Sequence, residues 1–304
     1  MAAPATVPTR RQKGDLHTET QLISMGPSHP ATHGTVKIML EIDGEQIVEM
    51  DVQIGYLHRG FEKECESGTW YQAIPYTDRL NYNSAILANL AFCMSVEKLL
   101  GLEMPERVKL IRMLLAEVQR INSHLVCLRT HGMEVGAVSV MLYCFREREL
   151  LLNINELIAG LRMFPSYMRV GGLREDLPRG FHVAVRAFLD RFPGKLAEYE
   201  DLLTQNRVNI DRTKGVGIIS KEDAVAYGLV GPIARAAGVD YDVGKAFPYL
   251  AYDQVEFSVP TRTDGDVYSR YLVRVAEMRE SLKICRQLID KITPNGAWAV
   301  DDPR

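Results

Sequence analysis

Two of the seven histidines fall in one short stretch, GPSHPATHG at 26–34, directly before an alternating run. Four residues apart on a helix, His29 and His33 would suggest a metal, but Pro30 and Gly34 make this a loop. A loop at the mouth of a sheet is a common place for a proton-exchanging imidazole; the bland alternative is a His that satisfies backbone groups. A second cluster, GYLHRGFEK at 55–63, brings His58, Arg59, Glu62 and Lys63 together after a strand end; its alternative is a solvated turn with weak ion pairs. A third, YTDRLNYN at 76–83, opens an uncharged helix with polar groups that need partners wherever they are buried. In the fourth, THGMEVG at 130–136, Glu134 stands alone before an apolar helix, either as a chemical acid or as a helix N-terminal acid favoured by the dipole.

Elements to position these groups are legible from periodicity. Val36, Ile38 and Leu40 alternate with polar residues, and Val48, Met50, Val52 and Ile54 do the same after Asp43-Gly44, which predicts a β-hairpin. A three-residue loop 42–44, with Gly44 left-handed, would set Ile38 opposite Val48 and Val36 opposite Met50. From Arg79 the period becomes helical up to Leu99, with Gly101 as a stop. Pro105 opens a second long helix to about Gly132, and a third follows over roughly 138–163. Phe181 to Leu203 reads as an amphipathic helix broken at Pro193. Short Gly- and Pro-punctuated elements fill 215–260, and a last helix spans about 264–292.

The expected fold is therefore α+β and mainly α: a small N-terminal antiparallel sheet followed by a long-helix bundle. Residues 1–25 read as a flexible tail, 26–78 as a β-rich region, and 79–304 as a helical region integrated with it. The uncharged stretch 80–96 carries Asn81, Asn83 and Asn89, each expensive in hydrocarbon, so it reads as a buried helix rather than a membrane span.

Composition narrows the classes. The 304 residues carry 36 Lys plus Arg against 39 Asp plus Glu, and no basic stripe suggests a nucleic-acid partner. Cys65, Cys93, Cys127, Cys144 and Cys285 are scattered and never form C-x-x-C, so no disulfide framework or cysteine-held cluster is expected, and a reducing, cytoplasm-facing setting fits. No Gly-rich phosphate loop follows a strand.

Taken together, the segments resemble one family closely: the D-type subunit of the proton-pumping NADH-quinone oxidoreductase (complex I), itself related to the large subunit of nickel-iron hydrogenases. The resemblance is carried by GPSHPATHG at 26–34, IGYLHRGFEK at 54–63, PYTDRLNY at 75–82, VEKLLG at 96–101, FRERE at 145–149, GGLREDLP at 171–178, KGVGII at 214–219 and GVDYDVGKAFPYLAYDQVEFSVP at 238–260. It implies a quinone-reduction site formed with a neighbouring iron-sulfur subunit, with His33 and Tyr82 contacting the headgroup and Glu134 standing where most members carry an Asp that pairs with the equivalent of His33. His29 and Arg59 are implied as supporting groups.

The residue types suit that chemistry. Reducing a quinone takes two electrons and two protons, and its carbonyl oxygens only accept hydrogen bonds; a Tyr hydroxyl donates, and an imidazole can donate and transfer a proton. An acid beside His33 would favour imidazolium and orient the ring. The resemblance implies that this chain binds no cofactor or metal. FMN and the iron-sulfur clusters would belong to partner subunits, the expected neighbours being the B-type iron-sulfur subunit, the C-type subunit and the H-type subunit of the membrane arm. It also implies a peripheral place on the cytoplasmic side of the cell inner membrane, bacterial by assumption. A hydrogenase-like large subunit and a truncated, inactive scaffold are the alternative readings.

Three departures stand out. Asn81 replaces a common acid, and Gly244 stands where a basic residue is usual. After Ile292 the family normally continues by on the order of a hundred residues, about a small domain, including an R-G-E-x-G…S-D-G segment and an aspartate-rich tail, so the resemblance predicts a missing C-terminal part.

Overall fold

The computed structural model describes residues 19–301 and forms two compact units, one ending at Glu64 and the other beginning at Cys65. Of the expected N-terminal tail, residues 1–18 lie outside the described residues, while its last five form the first strand.

The first unit is built on a three-stranded antiparallel sheet in the order β1 (Gln21–Met25), β2 (Lys37–Asp43), β3 (Gln46–Gln53). The hairpin exists, but its register differs from expectation. Gly44 and Glu45 form a two-residue turn closed by the pair Asp43 and Gln46, with Gly44 first and at φ +63°, as a Gly-first hairpin turn requires. The register then shifts beyond Ile42–Ile47, so that Val48 is an extra residue and Ile38 faces Val52 rather than Val48. The shift preserves a shared apolar face: Ile23, Leu40 and Met50 align across the three strands, as do Met25, Ile38 and Val52.

The boundary between the units falls within α1 (Phe61–Glu66). Next comes α2 (Trp70–Asp78), which the sequence placed with the β-rich region; it packs on the helix after it, with Ala73 and Ile74 buried. A 3-10 turn, Tyr82–Ser84, leads into α3 (Ala85–Leu100), stopped by Gly101 at φ +67°. Among the described residues no helix is long and apolar enough to cross a membrane, and Asn89 inside α3 donates to Thr77 and accepts from the Met168 backbone.

The centre of the second unit is α4 (Glu106–Glu134), buried on every side between Leu110 and Gln119 and packed against α3, α5 (Val138–Ala159) and α11 (Val267–Ile289). A helix so enclosed must pair any charge it carries. Arg112, wholly buried, forms a two-pronged pair with Glu97 of α3 (2.6 and 2.8 Å) and donates to the Arg169 and Gly172 carbonyls, both at 2.7 Å. It thereby locks the short hairpin β4 (Met168–Arg169) and β5 (Gly172–Leu173) to the bundle.

Farther along α4, Glu117 accepts from Ser281 (2.6 Å), Tyr252 and Arg120, and His124 meets Glu277 of α11 at 2.8 Å. Burial pushes the Glu277 carboxyl up, but the His124 hydrogen bond and the Arg235 guanidinium outweigh it and hold the group at about 2. Burial holds His124 below its ordinary range. These bonds fix the rotation of α4, and hence the direction in which its last turn points.

A single helix, α6 (Phe181–Leu203), spans the region expected to break at Pro193. Proline at 193 leaves the Leu189 carbonyl without its helical donor. Arg286 of α11 supplies one at 3.0 Å, so the helix continues. Short helices follow: α7 (Arg207–Thr213), α8 (Lys221–Ala226), α9 (Gly231–Ala236) and α10 (Val243–Ala246). After α11, Arg107 donates to the carbonyls of Thr293, Pro294, Gly296 and Ala297, and Val300 joins Gly171 through a 2.7 Å backbone bond.

Candidate functional site

In the first unit His29 and His33 share the loop between β1 and β2, as expected. The loop closes on itself: the Thr32 amide and hydroxyl both bond the His29 carbonyl (3.1 and 2.9 Å), the Ala31 amide donates to His29 Nδ1 (3.1 Å), and the Gly34 amide bonds Thr32 O. His29 Nδ1 is thus an acceptor, occupied by the loop's own backbone, which is the bland reading of a loop histidine. His33 lies on the exposed crest of the same loop. The base of the loop demands glycine at 26: φ is +95°, and a Cβ there would stand 1.9 Å from the Val36 carbonyl oxygen. Arg59 sits in the exposed segment 54–59, with a turn closed by the His58 amide on Gly55 O.

In the second unit Tyr82 begins the 3-10 turn between α2 and α3, and the turn is pinned at both ends. Four residues earlier, Asp78 is wholly buried, and its Oδ2 accepts from the Ser166 amide (2.9 Å) and hydroxyl (2.5 Å). Burial pushes the Asp78 carboxyl above the usual range, opposed by those Ser166 bonds. Behind the turn, Asn122 of α4 donates to the Asn83 carbonyl, and Ser84 is buried. Tyr82 itself is 47% exposed, so a rigid turn presents a phenol outward.

Glu134 is the last residue of α4, and α5 begins only at Val138. The reading of Glu134 as a helix N-terminal acid is therefore corrected: it sits at the negative end of the α4 dipole, where a carboxylate is disfavoured by about 0.3–1 kcal/mol. The chain reverses tightly here because Gly132 permits contact with Val140, a Cβ at 132 coming 3.2 Å from it. The Ala137 amide then bonds Gly132 O at 2.7 Å.

Two supporting residues stood in the quoted clusters but were given no role. His131, on the same turn as Glu134, meets Asn209 of α7 at 3.0 Å and stacks on Tyr271 of α11 with ring centres 5.5 Å apart. Its i, i+3 spacing from Glu134 was the available signal. Asp78 lay in a quoted motif, but its partner is 88 residues away, beyond any spacing rule.

Other features lie apart from these groups. A cleft of about 590 Å³ in the second unit is lined by Trp70, Arg169, Arg174 and Trp298 among others, and by none of the expected site residues. Among the described residues no group of three or more His, Cys, Asp or Glu side chains is arranged to hold a metal ion.

Comparison with known proteins agrees with the motifs. The model of the family described as respiratory-chain NADH dehydrogenase, 49 kDa subunit, matches residues 134–304. The chain is 52% identical to a D-type subunit of NADH-quinone oxidoreductase from Roseiflexus sp. (strain RS-1) over 278 residues, covering 91% of this chain and 67% of the relative. A D-type subunit from Koribacter versatilis is 51% identical over 286 residues (94% and 71%), and that of Myxococcus xanthus is 50% identical over 289 (95% and 69%).

Proposed function

Because the chain belongs to the D-type, or 49 kDa, subunit family of NADH-quinone oxidoreductases, we propose that it supplies the protein groups on which quinone is reduced within such a complex. The observation that carries the reading is the presentation of Tyr82. A hydroxyl donor stands 47% exposed on a turn whose neighbours Asp78 and Ser84 are buried, with Asp78 bonded into the bundle.

Each group has one task. Tyr82 donates its O–H to a quinone carbonyl oxygen, and that bond strengthens as the oxygen gains electron density. His33 donates to the headgroup and, as imidazolium, passes a proton to the reduced oxygen. Glu134 supplies a carboxylate to the same chemistry, and its position against the α4 dipole suits an acid kept for chemistry rather than for capping. His29 and Arg59 support the loop and the surrounding charge. The overall change is quinone plus two electrons and two protons to quinol. The electrons arrive from an iron-sulfur cluster of a neighbouring B-type subunit, itself fed from NADH through FMN and further clusters elsewhere in the complex.

The same reading makes the chain a peripheral component on the cytoplasmic side of the membrane, beside the C-type and H-type subunits, with redox energy coupled to proton translocation outside this chain. The test is Tyr82→Phe and His33→Ala in the assembled complex. Quinone turnover should fall by roughly 10²- to 10⁴-fold, while subunit content and NADH oxidation by an artificial acceptor upstream of quinone stay normal. Unchanged quinone turnover in both variants would make the chain a scaffold instead.

A further inference from the structure

The segment FRERE at 145–149 is not among the groups assigned to the quinone above, and its charges can be accounted for one by one. Arg146 pairs with Glu147 (2.7 Å) and Glu198 (3.0 Å). Glu147, wholly buried, also accepts two bonds from Arg191, both at 2.9 Å. Glu149 is taken by Arg162, which bonds Asn153 and Glu156 as well. Arg148 is left over. It is 8% exposed, it makes no hydrogen bond or ion pair among the described residues, and its Nε is buried without an acceptor.

A second guanidinium, only half-buried, also has an unpaired Nε. Arg129 of α4 stacks over the Phe145 ring at 4.3 Å, its Nε is likewise buried without an acceptor, and no described carboxylate pairs with it. Burial, and then the positive charge of Arg129, hold Arg148 below the usual guanidinium range. The other charges acting on Arg148 are Glu149, already engaged, and Arg162, a third cation. A guanidinium that is 8% exposed with an unpaired Nε, facing the charge of a half-buried second one whose Nε is also unpaired, is a costly arrangement, and buried charges are ordinarily paired.

We propose that Arg148 and Arg129 form an open seat for a carboxylate side chain of a partner polypeptide, an interface separate from the quinone groups. Planar guanidinium forks match a carboxylate in a two-pronged bond, and membership of a multi-subunit complex supplies a permanent neighbour to provide it. The inference rests on that membership and not on the roles of Tyr82, His33 or Glu134.

The test uses the assembled complex carrying Arg148→Lys, which keeps the charge and supplies an amine. Treatment with a zero-length carbodiimide should join the lysine introduced at position 148 to an Asp or Glu of another polypeptide of the complex, identified by mass spectrometry. Arg148→Met should release that same partner at lower sodium chloride than wild type. Cross-links confined to this chain, or none at all with full subunit content, overturn the proposal. A thermal midpoint of the isolated full chain raised by inorganic phosphate over chloride at matched ionic strength, absent in Arg148→Met and without an inter-chain link, assigns the seat to a small anion and also overturns it. Because the readout is a covalent link rather than turnover, it stands or falls independently of the quinone assay.

Discussion

Replacing Asp78 by Ala tests whether the Tyr82 turn is held from below. The carboxylate accepts two hydrogen bonds from Ser166, at 2.9 and 2.5 Å. Bonds to a charged acceptor contribute about 1.5–3 kcal/mol each, and losing both leaves the Ser166 donors unpaired. Against this stands relief from burying the carboxylate, whose cost is visible in its raised pKa. The net expectation is a loss of about 3 kcal/mol, or a fall of roughly 6–12 °C in Tm at about 2–4 °C per kcal/mol for a unit of this size. Ser166, held at φ +42° in a left-handed conformation, loses its anchor in the same step. Asp78→Asn, which retains an acceptor, should lose about half as much. Tyr82 lies four residues on, and a displacement of about 1 Å in a positioning group can lower turnover on the order of 10²-fold. The paired assay is urea unfolding of the full chain and quinone turnover in the complex. An Asp78→Ala chain that unfolds within about 1 kcal/mol of wild type, with turnover intact, would refute the reasoning.

The other predictions concern the bundle. Glu277 is held at about 2 in the folded chain against an ordinary 4.5, so its contribution is complete above about pH 4.5 and is lost as pH falls toward 2, up to roughly 3 kcal/mol. His124, also depressed, adds acid sensitivity that begins near its ordinary value of 6.5; Glu277→Gln should flatten the limb below pH 4.5 in a series of unfolding curves. Arg112→Met should destabilise by about 3–5 kcal/mol because it strands Glu97. Arg112→Met with Glu97→Leu should recover most of that loss in the same denaturation assay, and a double variant as weak as the single one would count against the pair.

Much of the fold was legible because it rests on local periodicity. The apolar faces of α4, α5 and α11 and the stop at Gly101 need only neighbouring residues to be read, whereas the end of α5 at Gly160 was read through to about 163. The hairpin was legible as an element but not in register, since the extra residue at Val48 is set by how three strands share one apolar face. Proline 193 shows the same limit: locally it breaks a helix, and only Arg286, which bonds a carbonyl 97 residues away, lets the helix continue.

For the candidate site, the sequence alone determined which residue types occur in which order, and this was enough to identify the family and to single out His29, His33, Arg59, Tyr82 and Glu134. Tertiary structure alone decided their circumstances: His29 bonded to its own loop, Tyr82 exposed on a pinned turn, Glu134 at the unfavourable end of α4, and Arg148 buried without an anion. The physical reason is that motif and period are properties of neighbouring residues, whereas burial, pairing and helix polarity depend on which distant segments are brought together.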